Sequence, residues 1–260
     1  MLICYTEQMK NSQLEQLLQV IDERRSVEIH TLMQIFYVSE STIRRDLRAL
    51  EEAGLIIRSH RRALSVSKRA DNTTTFINRK QTAREEKILI AKNAVKLCLH
   101  DGDVVMLDAS STVMETVEFI KTYKDVLVIT SGIETLLKLA QTDLQFFSSG
   151  GQAYTKSYSF IGQTAIDTIK TFNADVCFVS CHGLSETGYV TDNSIFENDV
   201  RRTILSQSKR KVLLIDSTKI NKNCYSNLCH ISMFDDVFCE KPLPENILRQ
   251  VKSFHLVEKI

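Results

Sequence analysis

At 260 residues, with 43% hydrophobic content, the chain can bury one small and one medium core. A formal net charge of only +1 excludes a uniformly basic protein, and no apolar run approaches the ~18 residues that would span a bilayer. Seven scattered cysteines, an odd number without framework spacing, speak against a secreted disulfide scaffold and for a cytoplasmic protein with reduced thiols.

Residues 1–12 are polar, and the opening MLICY is too short and lacks the charged start of a signal peptide. Leu14, Leu17, Leu18 and Ile21 recur at helical spacing, and Ser26 and Val27 lead into a second helix carrying Ile29, Leu32, Met33 and Phe36. Tyr37 and Val38 form a short turn into Ser39, whose hydroxyl suits the N-cap of a third helix. In that helix Ile43, Leu47 and Leu50 define one apolar stripe, while Ser41, Arg44, Arg45 and Arg48 fall on the opposite face. Gly54 stops it, and residues 55–62 read as a strand entering a basic turn. Three helices, a tight turn and a basic hairpin make a winged helix-turn-helix.

The polar face of the third helix has the chemistry for a DNA major groove. Arginine pairs two-pronged with guanine or clamps phosphate, and serine reaches either. A wet arginine face is ordinary on an amphipathic helix; the preceding helices and the local charge set this one apart. Across residues 40–69, eight basic residues stand against four acidic ones, an excess of +4, while the rest of the chain nets −3. Such asymmetry fits a nucleic-acid face joined to a domain that binds something else.

The run VSESTIRRDLRALEEAGLIIRSH resembles the N-terminal domain of DeoR-type bacterial transcriptional regulators, with matches at Val38, Ile43, Asp46, Leu47, Leu50, Glu51 and Gly54 among others. The resemblance implies double-stranded operator DNA as a partner. The residues expected at it are Ser39, Ser41, Thr42, Arg44, Arg45, Arg48, Arg58, His60, Arg61 and Arg62. Where the family usually places two glycines and an alanine after the histidine, this chain has Arg61, Arg62 and Ala63. Losing two flexible residues stiffens the wing or changes its turn type, and two added cations strengthen phosphate contact.

The helix-turn-helix domain is thus expected over residues 1–67. Residues 68–82, polar and without a sustained period, read as a linker; they contain Phe76 and Arg79, which with Glu86, Lys87, Ile90 and Ala91 form an F-x-x-R … EK-x-x-IA pattern similar to the same family's junction. From residue 83 to 260 the pattern changes. Short apolar runs at 104–107, 126–129, 144–147, 176–179, 212–215 and 237–238 alternate with helix-length segments. That is an α/β domain with an open, mostly parallel sheet covered on both faces.

Each strand gives way to small, hydroxylated, glycine or acidic residues: Asp108 with Ser110, Ser111 and Thr112; Thr130 with Ser131 and Gly132; Gly150 and Gly151; Gly183; Asp216 with Lys219. In an open parallel sheet the ligand crevice lies at these carboxyl ends. Gly132, Gly150, Gly151 and Gly183 are four of only eight glycines, placed where backbone must turn or approach a ligand. Ser110, Ser111 and Thr112 open a helix, where amides and hydroxyls converge on an anion. Thr130 and Ser131 can act likewise, Asp108, Asp216 and Glu197 can accept from sugar hydroxyls, and Lys219, Arg201 or Arg202 can neutralise phosphate. Each serine or aspartate alone is as readily a helix cap; five rims together point to a site for a phosphorylated polyol.

The stretches LDASST, VITSG, SSGGQ, ADVCFVSCHGLSETGYVT, ENDVRR and LLIDSTK resemble the sensor domain of DeoR-type regulators, a fold shared with sugar-phosphate isomerases. The resemblance implies a phosphorylated sugar as effector and a repressor of a carbohydrate-metabolism operon, acting as a homo-oligomer, dimer or tetramer. A rival reading gives Asp108, Glu197 and Lys219 acid–base roles in an isomerase or transferase carrying a DNA-binding head; the matches follow the regulators throughout, so no catalysis is expected. Cys224, Cys229 and His230 lack a fourth ligand and the usual zinc spacing, and no metal or cofactor is expected.

Overall fold

A computed structural model describes residues 14, 16–21, 24, 26–52, 56–59, 62–65 and 76–258. Two compact units divide after Asn72. The polar stretch 1–12, Gly54, the wing tip at His60 and Arg61, and the linker over 68–75 lie outside the described residues.

In the first unit residues 16–21 are helical and bury Leu17 and Ile21. They are followed by β1 (Ser26–Glu28), α1 (Ile29–Phe36), α2 (Glu40–Glu52), β2 (Ile56–Ser59) and β3 (Arg62–Ser65). Tyr37 ends α1 in the left-handed region at φ 53°, which turns the chain sharply into α2. Ser39 caps α2 as its sequence suggests: its hydroxyl accepts from Thr42 N at 3.3 Å and its carbonyl from Ile43 N at 3.1 Å. Ile43, Leu47 and Leu50 are buried against Leu17, Ile21 and Leu32, each contributing ~1.5–3 kcal/mol of transfer free energy. The wing is a three-stranded antiparallel sheet in the order β1-β3-β2. Ser26 and Val27 are therefore strand, and the expected second helix begins directly after it at Ile29. Val27 faces the core opposite Ala63, and three residues are too few to show a period.

The second unit opens with α3 (Phe76–Gln81) and α4 (Arg84–Cys98). The stretch expected to be linker is thus helical from Phe76 onward, because Phe76 and Arg79 are both buried. Then come β4 (Val104–Leu107), α5 (Val117–Ile120), β5 (Leu127–Thr130), α6 (Ile133–Leu139), β6 (Gln145–Ser148), β7 (Gln152–Tyr154), β8 (Ser159–Ile161), α7 (Gln163–Lys170) and β9 (Ala174–Val179). β10 (Gly183–Leu184) and β11 (Tyr189–Asp192) lead to α8 (Ile195–Ser206) and β12 (Ser208–Leu214). β13 (Ser226–His230), β14 (Asp236–Cys239), α9 (Glu245–Leu248) and β15 (Phe254–Leu256) complete the fold.

Seven of these strands form one parallel sheet in the order β15-β14-β12-β9-β4-β5-β6. The central strands read as apolar runs because both their faces are covered: Met106 enters one core, and Val105 and Leu107 the other. From β4 the chain steps outward through β5 to β6, then returns to the far side of β4 with β9 and continues to β15. Strand order therefore reverses between β4 and β9. That switch point, at the carboxyl ends, is where an open α/β sheet leaves a crevice.

Candidate functional site

The first unit presents Ser41, Arg44, Arg45 and Arg48 on the exposed face of α2, as its apolar stripe requires. Arg44 pairs with Glu40 at 2.6 Å and Arg45 with Asp46 at 3.2 Å. The exposed Arg44–Glu40 pair is worth only ~0.2–1 kcal/mol, so phosphate or base can replace its carboxylate at little cost, whereas Asp46 is largely buried. Arg58 is engaged within the unit. It donates from Nε to Glu51 at 2.7 Å and from Nη1 to the Arg44 carbonyl at 3.2 Å, bracing β2 against α2. Arg62 pairs with Glu28 at 2.7 Å on the exposed side of β3. Thr42 lies within 3.0 Å of the Ser39 hydroxyl, as part of the cap.

In the second unit the switch point is closed by Asp108, the first residue after β4. Asp108 Oδ1 accepts from Ser110 N at 2.9 Å, and its Oδ2 accepts from Ser180 N, beyond β9, at 3.1 Å and from Arg201 Nε at 2.8 Å. Arg201, projecting from α8, also donates to Asp192 Oδ2 at 2.7 Å and lies 3.8 Å from Glu197. Burial opposes the charge on Arg201, but Asp192, Asp108 and Glu197 outweigh it and raise its pKa. Burial likewise works against the Asp192 carboxylate, yet Arg201 and His182 hold it well below the usual range. Asp108 is therefore occupied in positioning two loops and Arg201, and is not a free acceptor for sugar hydroxyls.

Above this floor, five residues expected from the sequence line one small pocket: Ser110, Ser111, Thr112, Arg201 and Lys219. Arg79, Ser180, Cys181 and His182 complete it. The helix expected after Ser110 is short: a 3-10 turn over Val113–Thr116 running into α5, with the Ser110 hydroxyl accepting from Val113 N at 3.1 Å. Beneath the pocket lies Lys87, whose ammonium donates to the Arg79 carbonyl and to Ser111 Oγ, the latter at 3.1 Å. Burial pushes Lys87 down to about 8 and lowers Arg79, whose guanidinium sits 5.6 Å from the Phe76 ring centre.

The other residues expected from the sequence are not in the pocket's lining. Thr130 is buried and its hydroxyl accepts from Gly132 N at 3.0 Å; Ser131 is buried beside it. Gly150 and Gly151 have φ of 57° and 106°, and a Cβ on Gly151 would stand 2.7 Å from the Ile161 carbonyl. Gly183 lies in β10, where the Lys222 backbone leaves no room for a side chain. Asp216 caps a short turn, accepting from Thr218 N at 3.1 Å, and keeps its other oxygen unpartnered among the described residues. Glu197 is buried with neither carboxylate oxygen hydrogen-bonded to a described residue. Arg202 turns away, to Asp199 at 2.8 Å and the Leu228 carbonyl at 3.2 Å, and does not line the pocket.

A wider hollow of about 590 Å³, with Lys121, Tyr123, Asp143 and Gln145 in its wall, opens before β5 and β6, at the amino ends of the strands. It is away from the rim where such sheets bind ligands, so the smaller pocket is the candidate.

Two family models match the two units: the DeoR-like helix-turn-helix domain over residues 14–69 and the DeoR C terminal sensor domain over residues 82–241. The chain belongs to the DeoR family. It is a DNA-binding transcriptional regulator with a sensor domain, and its relatives span nearly its whole length. Regulator GolR of Listeria innocua is 29% identical over 94% of this chain and 96% of its own. The glycerol-3-phosphate regulon repressor of Escherichia coli is 26% identical over 92% and 94%. The lactose phosphotransferase system repressor of Staphylococcus epidermidis is 30% identical over 89% and 92%. Among solved structures, ribose 5-phosphate isomerase A of Methanocaldococcus jannaschii is similar at a TM-score of 0.40 and 17% identity, over 54% of this chain and 55% of that one. Among the described residues no helix is long and apolar enough to cross a membrane.

Arg79 and Lys87 were present in the sequence as a motif of this DeoR-type junction, yet nothing in their spacing places them at a site formed by strand ends further along the chain. His182 lies in a stretch that resembles the family without being singled out there, and Asp192 is not singled out either; the β10–β11 pairing of Gly183 with Thr191 brings them together.

Proposed function

We propose that the protein represses a carbohydrate-metabolism operon and that a phosphorylated sugar, bound at the β4–β9 switch point, controls its hold on DNA. The observation that carries this reading is the composition of the pocket: Arg79, Arg201 and Lys219 share it with the hydroxyls of Ser110, Ser111 and Thr112. Among the described residues Lys219 has no ion-pair partner, which leaves its charge available to phosphate. The names of the Escherichia coli and Staphylococcus epidermidis relatives, one a glycerol-3-phosphate and the other a lactose phosphotransferase repressor, support the same ligand class.

An effector controls DNA binding only by favouring one of two arrangements. Arg79 lies both in the pocket wall and on α3, the first described element after the connection from the DNA-binding head. A ligand that moves Arg79 therefore moves the start of the sensor domain. On this reading the head occupies residues 1–67, the connection ends near Phe76, and the effector domain fills the remainder. A homo-oligomer in the cytoplasm would pair the heads on repeated or inverted half-sites.

A second reading, isomerase chemistry near the same pocket, is favoured by the buried Glu197 carboxylate, which accepts no hydrogen bond among the described residues and has only Arg201, 3.8 Å away, as an ion-pair partner. The relatives' role as regulators favours sensing without turnover. Fluorescence anisotropy of labelled DNA from upstream of the gene, at two salt concentrations and with a sugar-phosphate panel, tests the first reading. Salt-dependent binding altered by one member of the panel supports it. Turnover of any pentose or hexose phosphate by the purified protein would favour the second.

A further inference from the structure

His182 is held from two directions. Its backbone N donates to the Thr191 carbonyl at 3.2 Å, and its ring Nδ1 lies 2.8 Å from Asp192 Oδ2. The same Asp192 oxygen receives Arg201 Nη1 at 2.7 Å, so the ring is fixed to the ion-pair floor. Arg201 holds Asp192 in its charged form despite its burial, and a carboxylate can only accept. Nδ1 therefore carries the hydrogen. In the neutral ring Nε2 is then left as an acceptor. His182 lines the pocket, and its Nε2 is buried without a hydrogen-bond partner among the described residues.

We propose that His182 is the residue that selects the effector, its Nε2 accepting a hydrogen bond from a sugar hydroxyl while Arg79 and Lys219 hold the phosphate. This rests on the reading of the pocket as a sugar-phosphate site. A fully ionised phosphate has no hydrogen to give, so a neutral Nε2 contributes nothing to holding it. A hydroxyl does have one, and an acceptor fixed by Asp192 accepts it in one direction only. Glu197, buried on α8 with neither oxygen hydrogen-bonded among the described residues, lies 3.8 Å from Arg201 in the same ion-pair floor. The floor thus suits hydrogen donors, and the cations suit the anionic end. Such division gives discrimination among sugar phosphates that charge alone does not provide, because a site built to bond a hydroxyl rejects the analogue lacking it.

The test is calorimetric titration of the full chain at pH 8 with inorganic phosphate and with ribose 5-phosphate, fructose 6-phosphate, glucose 6-phosphate and glycerol 3-phosphate. It compares the natural protein with His182→Asn and His182→Gln. Asparagine can keep the bond to Asp192 from its amide nitrogen but offers nothing at the Nε2 position; glutamine reaches nearer that position. The tightest sugar phosphate is expected to weaken about tenfold in His182→Asn and to recover in part in His182→Gln, while inorganic phosphate binds all three alike. Equal losses for phosphate and sugar phosphate, or no loss for either, would overturn the assignment. If inorganic phosphate binds but no sugar phosphate binds more tightly, hydroxyl reading fails while the anion site stands. If no probe binds the natural protein, the sugar-phosphate reading itself fails.

Discussion

Asp108 Oδ2 and Arg201 Nε lie 2.8 Å apart in the interior, joining residues 93 positions apart in the chain. The contact ties the end of β4 to α8, and through Ser180 to the end of β9. It makes the switch point a rigid floor on which the pocket stands. Buried ion pairs are weak evidence of net stability, because desolvation opposes the Coulombic gain.

Removing one partner is a different matter. Arg201→Met leaves Asp108, Asp192 and Glu197 facing one another without their shared cation, and a loss of ~3–5 kcal/mol in urea denaturation of the sensor domain is expected. Asp108→Asn should also destabilise, since its amide cannot accept from Ser110 N on one side and from Ser180 N and Arg201 Nε on the other. Wild-type stability in Arg201→Met would show that the network does not hold the floor together.

Lys87 gives the protein a pH dependence with a definite sign. Its folded-state value of about 8 lies below the usual 10.5. Below about 8 both folded and unfolded chains carry the proton, and the folded state bears the cost of a buried charge. Between about 8 and 10.5 the unfolded chain binds more protons, so this group's contribution to stability rises with pH. A bound anion favours the charged amine, so effector affinity should fall as pH rises above about 8, by at most ~10-fold per unit. Lys87→Met should flatten that slope. An unchanged slope in calorimetric titrations would separate Lys87 from the ligand.

On the DNA side, Arg44→Ala or Arg45→Ala should cost ~1–3 kcal/mol of operator binding if either arginine reads a base, and should leave the melting temperature near that of the natural protein. Both arginines are exposed; Arg44 gives up only a surface ion pair, and Arg45 gives up one to the largely buried Asp46. Arg58→Ala should instead lower stability as well, because it loses Glu51 and the Arg44 carbonyl. Unchanged affinity in both Arg44 and Arg45 variants would move the DNA-reading face elsewhere.

Periodicity and strand ends carry most of what was legible in the sequence. The recognition helix was legible because Ile43, Leu47 and Leu50 leave only one face for the arginines, and the parallel sheet because strands covered on both sides must be continuously apolar. Ser110, Ser111, Thr112, Arg201 and Lys219 were legible as rim residues, since carboxyl strand ends are where ligands bind. β1 and β15 were not, each being three residues long. Side-chain direction was not legible either: Arg202 and Arg201 are neighbours in sequence, yet one faces the pocket and the other the Leu228 carbonyl. Likewise α3 reads as polar linker, because its two buried side chains, Phe76 and Arg79, make only a single turn of pattern.

Control of DNA binding by a phosphorylated sugar in the switch-point pocket has one decisive readout. It is the effector dose-response of operator binding, by anisotropy, for the natural protein and Lys219→Ala side by side. Both should bind the operator with the same affinity in the absence of effector. The variant should need at least ~10-fold more effector for the same response, as loss of a charged hydrogen bond implies. Superimposable dose-response curves would contradict a phosphate held by Lys219 in that pocket.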